Sequence, residues 1–383
     1  MDIAASLLSS SVVNGENSYK TGCDVGQGGD MSPRLYVSNT YFHLLVSLLM
    51  SHRDHRNGER ATILVSFTRT PLPPDLLTRL QTISWAHIVD ATDRDAYLRI
   101  DAWGLVRKFF LNLFIRQLYP WINPKVKELA ALEGGNLFLF NDFSYISRYL
   151  MRAADNPVCL VEDGASTYAP PSKKRYNRFM GLKRLLGLYP FFGRHPKIEQ
   201  VLVQHPDRLP EDIRTKACLL DMKELLAALP AMDRQCIKRV FFDTEPKALP
   251  KGAVLVLTQP FYVSGWMTEQ QQQLVFGNLI RGLENEGFPV VVKTHPADKL
   301  DYRNISDNVH VMEGGFPIEL INLMEGADFL AVLSVNSSAS ENLYRARHRF
   351  TFWPPEDLKS GKTEQLLEAI DKQLPFVVSQ LKQ

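Results

Sequence analysis

Short runs of aliphatic and β-branched residues recur along this chain, and most stop at a polar turn that opens a helical pattern. "ATILVSF", "GNLFLFND", "NPVCLVEDG", "AVLVLTQP", "PVVVKTHP" and "DFLAVLS" are of this kind. Such runs lack the alternation of a half-exposed strand, so they suit strands buried on both faces of a parallel sheet. Segments such as "WGLVRKFFLNLFIRQLYPWI", "DFSYISRYLMRAA" and "TEQQQQLVFGNLIRGLENEG" lie between them and carry helical periodicity. Strands alternating with helices predict an α/β architecture with parallel sheets flanked by helices.

A chain of 383 residues exceeds what one core usually serves. The pattern pauses at "RVFFDTEPKALPKGA" and then restarts. We therefore expect a first domain over 33–247 and a second over 248–383, ending in the helical segment "KTEQLLEAIDKQLPFVVSQLKQ". Residues 1–32, rich in Ser, Gly and Asn, read as a flexible lead-in.

Bulk properties narrow the function. Formal net charge is +2, which gives no global case for nucleic acid as a partner. The four cysteines form no CxxC pair, so neither a disulfide framework nor a zinc site is expected. The longest apolar run, "YFHLLVSLLM", is shorter than a membrane span and reads as a buried helix. The first residues lack the basic region of a signal peptide, so a cytoplasmic protein is expected. No Walker A loop, GxGxxG or GxSxG occurs. Asp93-Arg94-Asp95 is formally a DxD, but it precedes a helical stretch rather than ending a buried strand, and reads as a solvated first turn.

Ligands of open α/β sheets bind outside the C-terminal ends of the strands. Five strand ends are polar here: Ser38-Asn39-Thr40, Glu162-Asp163-Gly164, Thr258-Gln259-Pro260, Lys293-Thr294-His295-Pro296 and Asn336-Ser337-Ser338. Ser337 and Ser338 suit a helix N-cap or an anion site. Lys293 and His295 at a neighbouring strand end favour a phosphate. Adjacent strand residues point to opposite faces, so one of Glu162 and Asp163 would be a base and the other an anchor; an ordinary acidic turn is the plain alternative. Gly164 then permits a sharp turn or a close ligand. Glu319, near the start of "FPIELINLM", suits either a ribose diol or a helix N-terminus. From Lys173 to Lys197 the chain is basic with interleaved aromatics and no acid. Lys173, Lys174 and Arg175 there read as a solvated face or as contacts to an anionic glycan or lipid headgroup.

Taken in order, the acidic pair with Gly, "LTQP", "KTHP", "PIE" and the paired serines resemble the D/E-D/E-G, HP and S-S/T motifs of bacterial GT-B sialyltransferases. The resemblance covers roughly 161–343 and is nearest to lipooligosaccharide sialyltransferases and capsular polysialyltransferases, glycosyltransferase families 52 and 38. It implies a GT-B fold, two Rossmann-like domains facing each other across a cleft. It implies inverting transfer of sialic acid from a CMP-activated donor to a bacterial surface glycan or glycolipid. No metal and no other cofactor is implied, and the enzyme is expected to be cytoplasmic or peripheral at the inner membrane. Asp163, or else Glu162, would be the base; His295, Ser337 and Ser338 would hold the donor phosphate, with Lys293 adding charge and Pro296 fixing the turn. Glu319 would hold the ribose, and Thr258 and Gln259 would lie near nucleotide or sugar. The rival readings are a CMP-Kdo transferase, a two-lobed UDP-sugar epimerase and a non-catalytic glycan binder.

Overall fold

The computed structural model describes residues 33–68, 72–92, 94–126, 136–153, 155, 157–168, 189–244, 248–312, 315–335, 338–352 and 363–383. The first sheet is built from β1 (Arg34–Ser38), β2 (Ala61–Val65), β3 (His87–Asp90), β4 (Asn136–Leu139), β5 (Val158–Val161), β6 (Ile198–Val203) and β7 (Ala217–Leu219). Its strands are parallel in the order β3-β2-β1-β4-β5-β6-β7. The second sheet holds β8 (Val254–Leu257), β9 (Val290–Lys293), β10 (His310–Met312), β11 (Phe329–Ser334) and β12 (Ala346–Thr351). It is also parallel, in the order β10-β9-β8-β11-β12. Each order reverses once, between β1 and β4 and between β8 and β11, which is the Rossmann arrangement with its crevice at the reversal. The α/β fold of two Rossmann-like units is thus present.

Burial explains why these runs became strands. Every residue of β1, β2, β5, β8 and β9 is buried. Alternate residues feed different apolar layers: Leu35 and Val37 enter one, Tyr36 another. Likewise Val254 and Val256 face one side of the second sheet while Leu255 faces the other. The layer that receives Tyr36 and Leu255 is shared, running from Phe138 and Val161 of the first sheet to Val291 and Phe329 of the second.

Helices connect the first strands: α1 (Tyr41–Arg56), α2 (Leu76–Leu80), α3 (Arg94–Asp101), α4 (Leu105–Leu113), α5 (Ile115–Ile122) and α6 (Tyr145–Ala153). α1 is the buried helix that its apolar run suggests, with His43 through His52 all buried. In the second unit, Glu269–Asn285 is opened by a capping box of Thr268 and Gln271. A last helix, Thr363–Leu381, sends Leu366, Ile370 and Val377 into the same layer as that helix.

Three strands escaped the sequence reading: β6, β7 and β12. Two expected helices are instead short 3₁₀ turns, Ile318–Leu323 and Ser338–Asn342. Side chains claim the carbonyls that an α-helix would use. Asn322 Nδ2 donates to Glu319 O and Asn342 O, and Arg349 Nε donates to Ser340 O. The expected linker also begins later, since a helix runs over Ala231–Phe241.

Candidate active site at the strand ends

β1 ends at Ser38, and Thr40 then caps α1 by accepting a hydrogen bond from His43 N at 3.2 Å. This puts His43 in the first helical turn, buried, with its ring stacked 4.5 Å from that of Phe140 just past β4. Asn39 N donates to His43 Nδ1 at 3.3 Å. With Nδ1 accepting, the proton of the neutral imidazole sits on Nε2. Nε2 lies 2.5 Å from Asp163 Oδ1, so it donates to the carboxylate. Asn39 itself is fixed across the strand reversal, donating from Nδ2 to Ser66 O and accepting from Asn141 Nδ2.

The acidic pair splits as strand geometry demands. Asp163 keeps 16% of its side chain exposed, with Ser166 Oγ 3.4 Å from its second oxygen, Oδ2. Glu162 is buried and accepts from Tyr168 OH at 2.6 Å, Gln204 N at 2.7 Å and Gln204 Nε2 at 3.2 Å. Burial raises its pKa, with those hydrogen bonds opposing. Gly164 has φ +94, a left-handed backbone that other residues adopt poorly, and it opens the 3₁₀ turn Ala165–Tyr168. A Cβ there would meet nothing within 4 Å, so the turn, rather than crowding, requires the glycine.

Across the molecule, Thr258 at the end of β8 braces the turn after β9. Its Oγ1 donates to Asp298 Oδ2 at 2.6 Å and accepts from His295 N at 3.1 Å. Gln272 and Tyr302 also donate to Asp298. Ala297 N donates to His295 Nδ1 at 3.1 Å, which leaves the His295 proton on Nε2. Desolvation first, and then the Lys293 ammonium, lower the His295 pKa below the ordinary imidazole value. The ring is therefore a neutral Nε2–H donor at pH 7. Gln259 continues the turn, its carbonyl accepting from Phe261 N, and Pro296 is exposed beside His295.

Thr294, His295 and Pro296 line an open cavity of about 450 Å³ together with Asp298, Gly315 and, from the first unit, Tyr41. Tyr41 lies in the same turn of α1 as His43, so the cavity reaches the helix that carries the first cluster. Contacts between the units continue alongside: Tyr344 OH bonds Gln204 Oε1 at 3.2 Å, and Arg208 and His205 both bond Glu341.

Lys293 does not present the exposed cation that was expected. It is buried, its Nζ donating to Thr294 O at 2.8 Å and lying 4.3 Å from the centre of the Phe316 ring. Desolvation lowers its pKa to about 7, against the pull of Glu319. Glu319 is buried too, accepts from Asn342 Nδ2 at 2.6 Å, and is raised to about 7 by burial. Glu319 thus sits in a 3₁₀ turn as an interior carboxyl. Ser338 opens the other 3₁₀ turn, not an α-helix as expected, so it lacks the dipole of a full helix. Ser337, Lys173, Lys174 and Arg175 lie outside the described residues.

His43, Tyr168 and Gln204 were missed. The strand-end rule stops at Asn39, whereas His43 lies one helical turn beyond. A buried His three residues after a Thr cap is the signal that would have found it.

Residues 116–349 match the family model described as glycosyltransferase family 52. An uncharacterized protein of Haemophilus influenzae (strain ATCC 51907 / DSM 11121 / KW20 / Rd) is 25% identical over 238 residues, which are 61% of this chain and 74% of that protein. Among solved structures, the GT-B domain of a sialyltransferase from Photobacterium damselae is similar with a TM-score of 0.47 and 13% identity, covering 90% of this chain and 97% of that one. A spinosyn rhamnosyltransferase gives 0.45 and 13%, over 92% and 96%. A UDP-N-acetylglucosamine 2-epimerase from Rickettsia bellii gives 0.44 and 10%, over 90% and 88%. The family match spans more than half of the sequence, and the chain belongs to glycosyltransferase family 52.

Proposed function

We propose that this glycosyltransferase moves sialic acid from a CMP-activated donor to a hydroxyl of a bacterial surface glycan, with inversion and without a metal. The observation that supports it most is the His43–Asp163 pair at the end of β5. A transferase needs a carboxylate that can take the acceptor proton, held so that one oxygen faces the substrate. His43 occupies Oδ1, and Oδ2, whose contact to Ser166 Oγ is a long 3.4 Å, takes that proton.

In this reading the acceptor oxygen forms a bond to the anomeric carbon as its proton passes to Asp163. The bond from that carbon to the donor phosphate breaks, and its electron pair leaves on CMP. His295 Nε2–H stabilises the departing phosphate oxygen, with the charge modest enough for a neutral donor to serve. The transition state carries positive charge on the sugar, which a nearby carboxylate also stabilises. Asn39 acts through His43 as a positioning residue. Thr258 positions His295 in the same sense. Lys173, Lys174 and Arg175 would contact an anionic acceptor.

The test is CMP release from CMP-Neu5Ac and CMP-Kdo with EDTA present and no acceptor. Release from CMP-Neu5Ac alone supports the reading and its metal independence. Release from CMP-Kdo alone replaces the sugar while keeping the site. A melting temperature raised by UDP and not by CMP would overturn the CMP donor and favour a UDP-sugar enzyme.

A further inference from the structure

α4 and α5 turn Leu111, Ile115 and Tyr119 into the apolar layer beneath the first sheet. Their other side is apolar as well. Leu105 is 85% exposed and Trp121 79%, with Val106, Phe110, Phe114 and Leu118 exposed between them. Val106 and Phe110 lie one turn apart on α4, and Phe114 at the break between the helices and Leu118 on α5 continue the spacing. Exposed apolar residues scattered singly need no explanation, but a continuous set marks an interaction surface.

Charge selects the partner. Residues 105–126 contain Arg107, Lys108, Arg116 and Lys125 and no Asp or Glu. Arg107 and Arg116 are exposed beside the apolar stripe. Bulky aliphatic and aromatic side chains, a Trp at one end and flanking arginines are the composition of a helix lying in a membrane interface. Among the described residues no helix is long and apolar enough to cross a membrane, so the contact would be with one leaflet.

We infer that the outer face of α4 and α5 docks this protein onto an anionic phospholipid bilayer, the apolar stripe entering the acyl boundary and Arg107 and Arg116 meeting headgroup phosphates. α5 packs on α6, and α6 leads into β5 and Asp163. Docking there holds the Asp163 unit at the surface where a glycolipid acceptor is anchored. The inference stands apart from the donor chemistry, because lipid binding is read without any sugar.

The experiment is co-sedimentation of the full chain with phosphatidylcholine vesicles, with and without phosphatidylglycerol. Wild type should sediment with the anionic vesicles. Leu105→Glu/Val106→Glu/Trp121→Glu should bind about tenfold more weakly or worse, with an unchanged melting temperature because all three side chains are exposed. Arg107→Gln/Arg116→Gln should lose the preference for phosphatidylglycerol. The inference is overturned if wild type stays in the supernatant, if the triple variant sediments like wild type, or if both vesicle types bind equally. It is also overturned if light scattering shows a wild-type dimer that the triple variant dissolves, for the stripe would then be covered by a second copy.

Discussion

His43 Nε2 donates to Asp163 Oδ1 across a chain separation of 120 residues. This joins the first turn of α1 to the segment that follows β5 and fixes one carboxylate oxygen of Asp163. Asp163→Asn should lower kcat by about 10³-fold while leaving the melting temperature nearly unchanged. His43→Phe should lower kcat by about 10- to 100-fold, because the carboxylate is freed to turn. Its donor KM should not change. Asn39→Ala should reproduce a weaker form of the His43 effect. Steady-state kinetics with CMP-Neu5Ac checks all three, and a His43→Phe enzyme with wild-type kcat would remove the histidine from the site.

Glu162 should behave differently from its neighbour. Its carboxylate satisfies Tyr168 OH, Gln204 N and Gln204 Nε2 in the interior. Glu162→Ala strands buried donors, at about 1–3 kcal/mol for each one left unsatisfied. Denaturant unfolding should therefore show a large loss of stability. Equal stability with a kinetic defect would exchange the roles of the two acids.

His295→Ala should lower turnover by at least about 10²-fold and abolish stabilisation by CMP, with the fold kept. The depressed pKa makes a second prediction. A group with a lowered pKa keeps its neutral form to lower pH, so the phosphate-side donor should lose its neutral form only at a lower pH than an ordinary imidazole. A pH–rate profile whose acidic limb moves in His295→Asn tests this.

Lys293 and Glu319 predict a dependence of stability on pH. The Glu319 carboxyl, raised from 4.5 to about 7, holds a proton that the unfolded chain has already lost. Its contribution is full below 4.5 and is lost as pH rises through about 7. The Lys293 ammonium, lowered from 10.5 to about 7, costs stability below 7, and that cost is relieved as pH rises toward 10.5. Together they place a shallow minimum near neutrality. Glu319→Gln keeps the Asn342 hydrogen bond and should raise the melting temperature at pH 8 by about 2–4 °C, with little change at pH 5. Equal shifts at both pH values would contradict it.

Much of this architecture is legible as pattern. Runs such as Val254–Leu257 and Val290–Val292 are apolar throughout because both faces of each sheet are covered. The strands that escaped notice lack that signature. β12 is "ARHRFT", mostly exposed at a sheet edge, and β7 is only three residues. The turn Ser338–Asn342 was misread because Asn322 and Arg349 take its carbonyls from outside the segment, which nothing local announces. In Ile318–Leu323 the claim is internal, Asn322 on Glu319 O. The places of Asp163 and His295 after β5 and β9 could be read from strand ends, since one turn of sequence sets them. Their partners could not, because His43 reaches Asp163 only once the parallel order of β1, β4 and β5 has formed. Burial also separated Glu162 from Asp163, and Lys293 from His295, in ways that residue type alone does not encode.

The apolar layer shared by the two sheets has a mechanical consequence. Tyr36, Phe138, Leu255 and Val291 belong to one continuous cluster, and Phe242 packs on Phe316 at 4.7 Å. Pulling the lobes apart would wet that seam, whereas sliding one over the other keeps hydrocarbon against hydrocarbon. The joint is thus an oiled bearing rather than a door hinge. A chain cut within 248–253 should yield two halves that survive only as a pair.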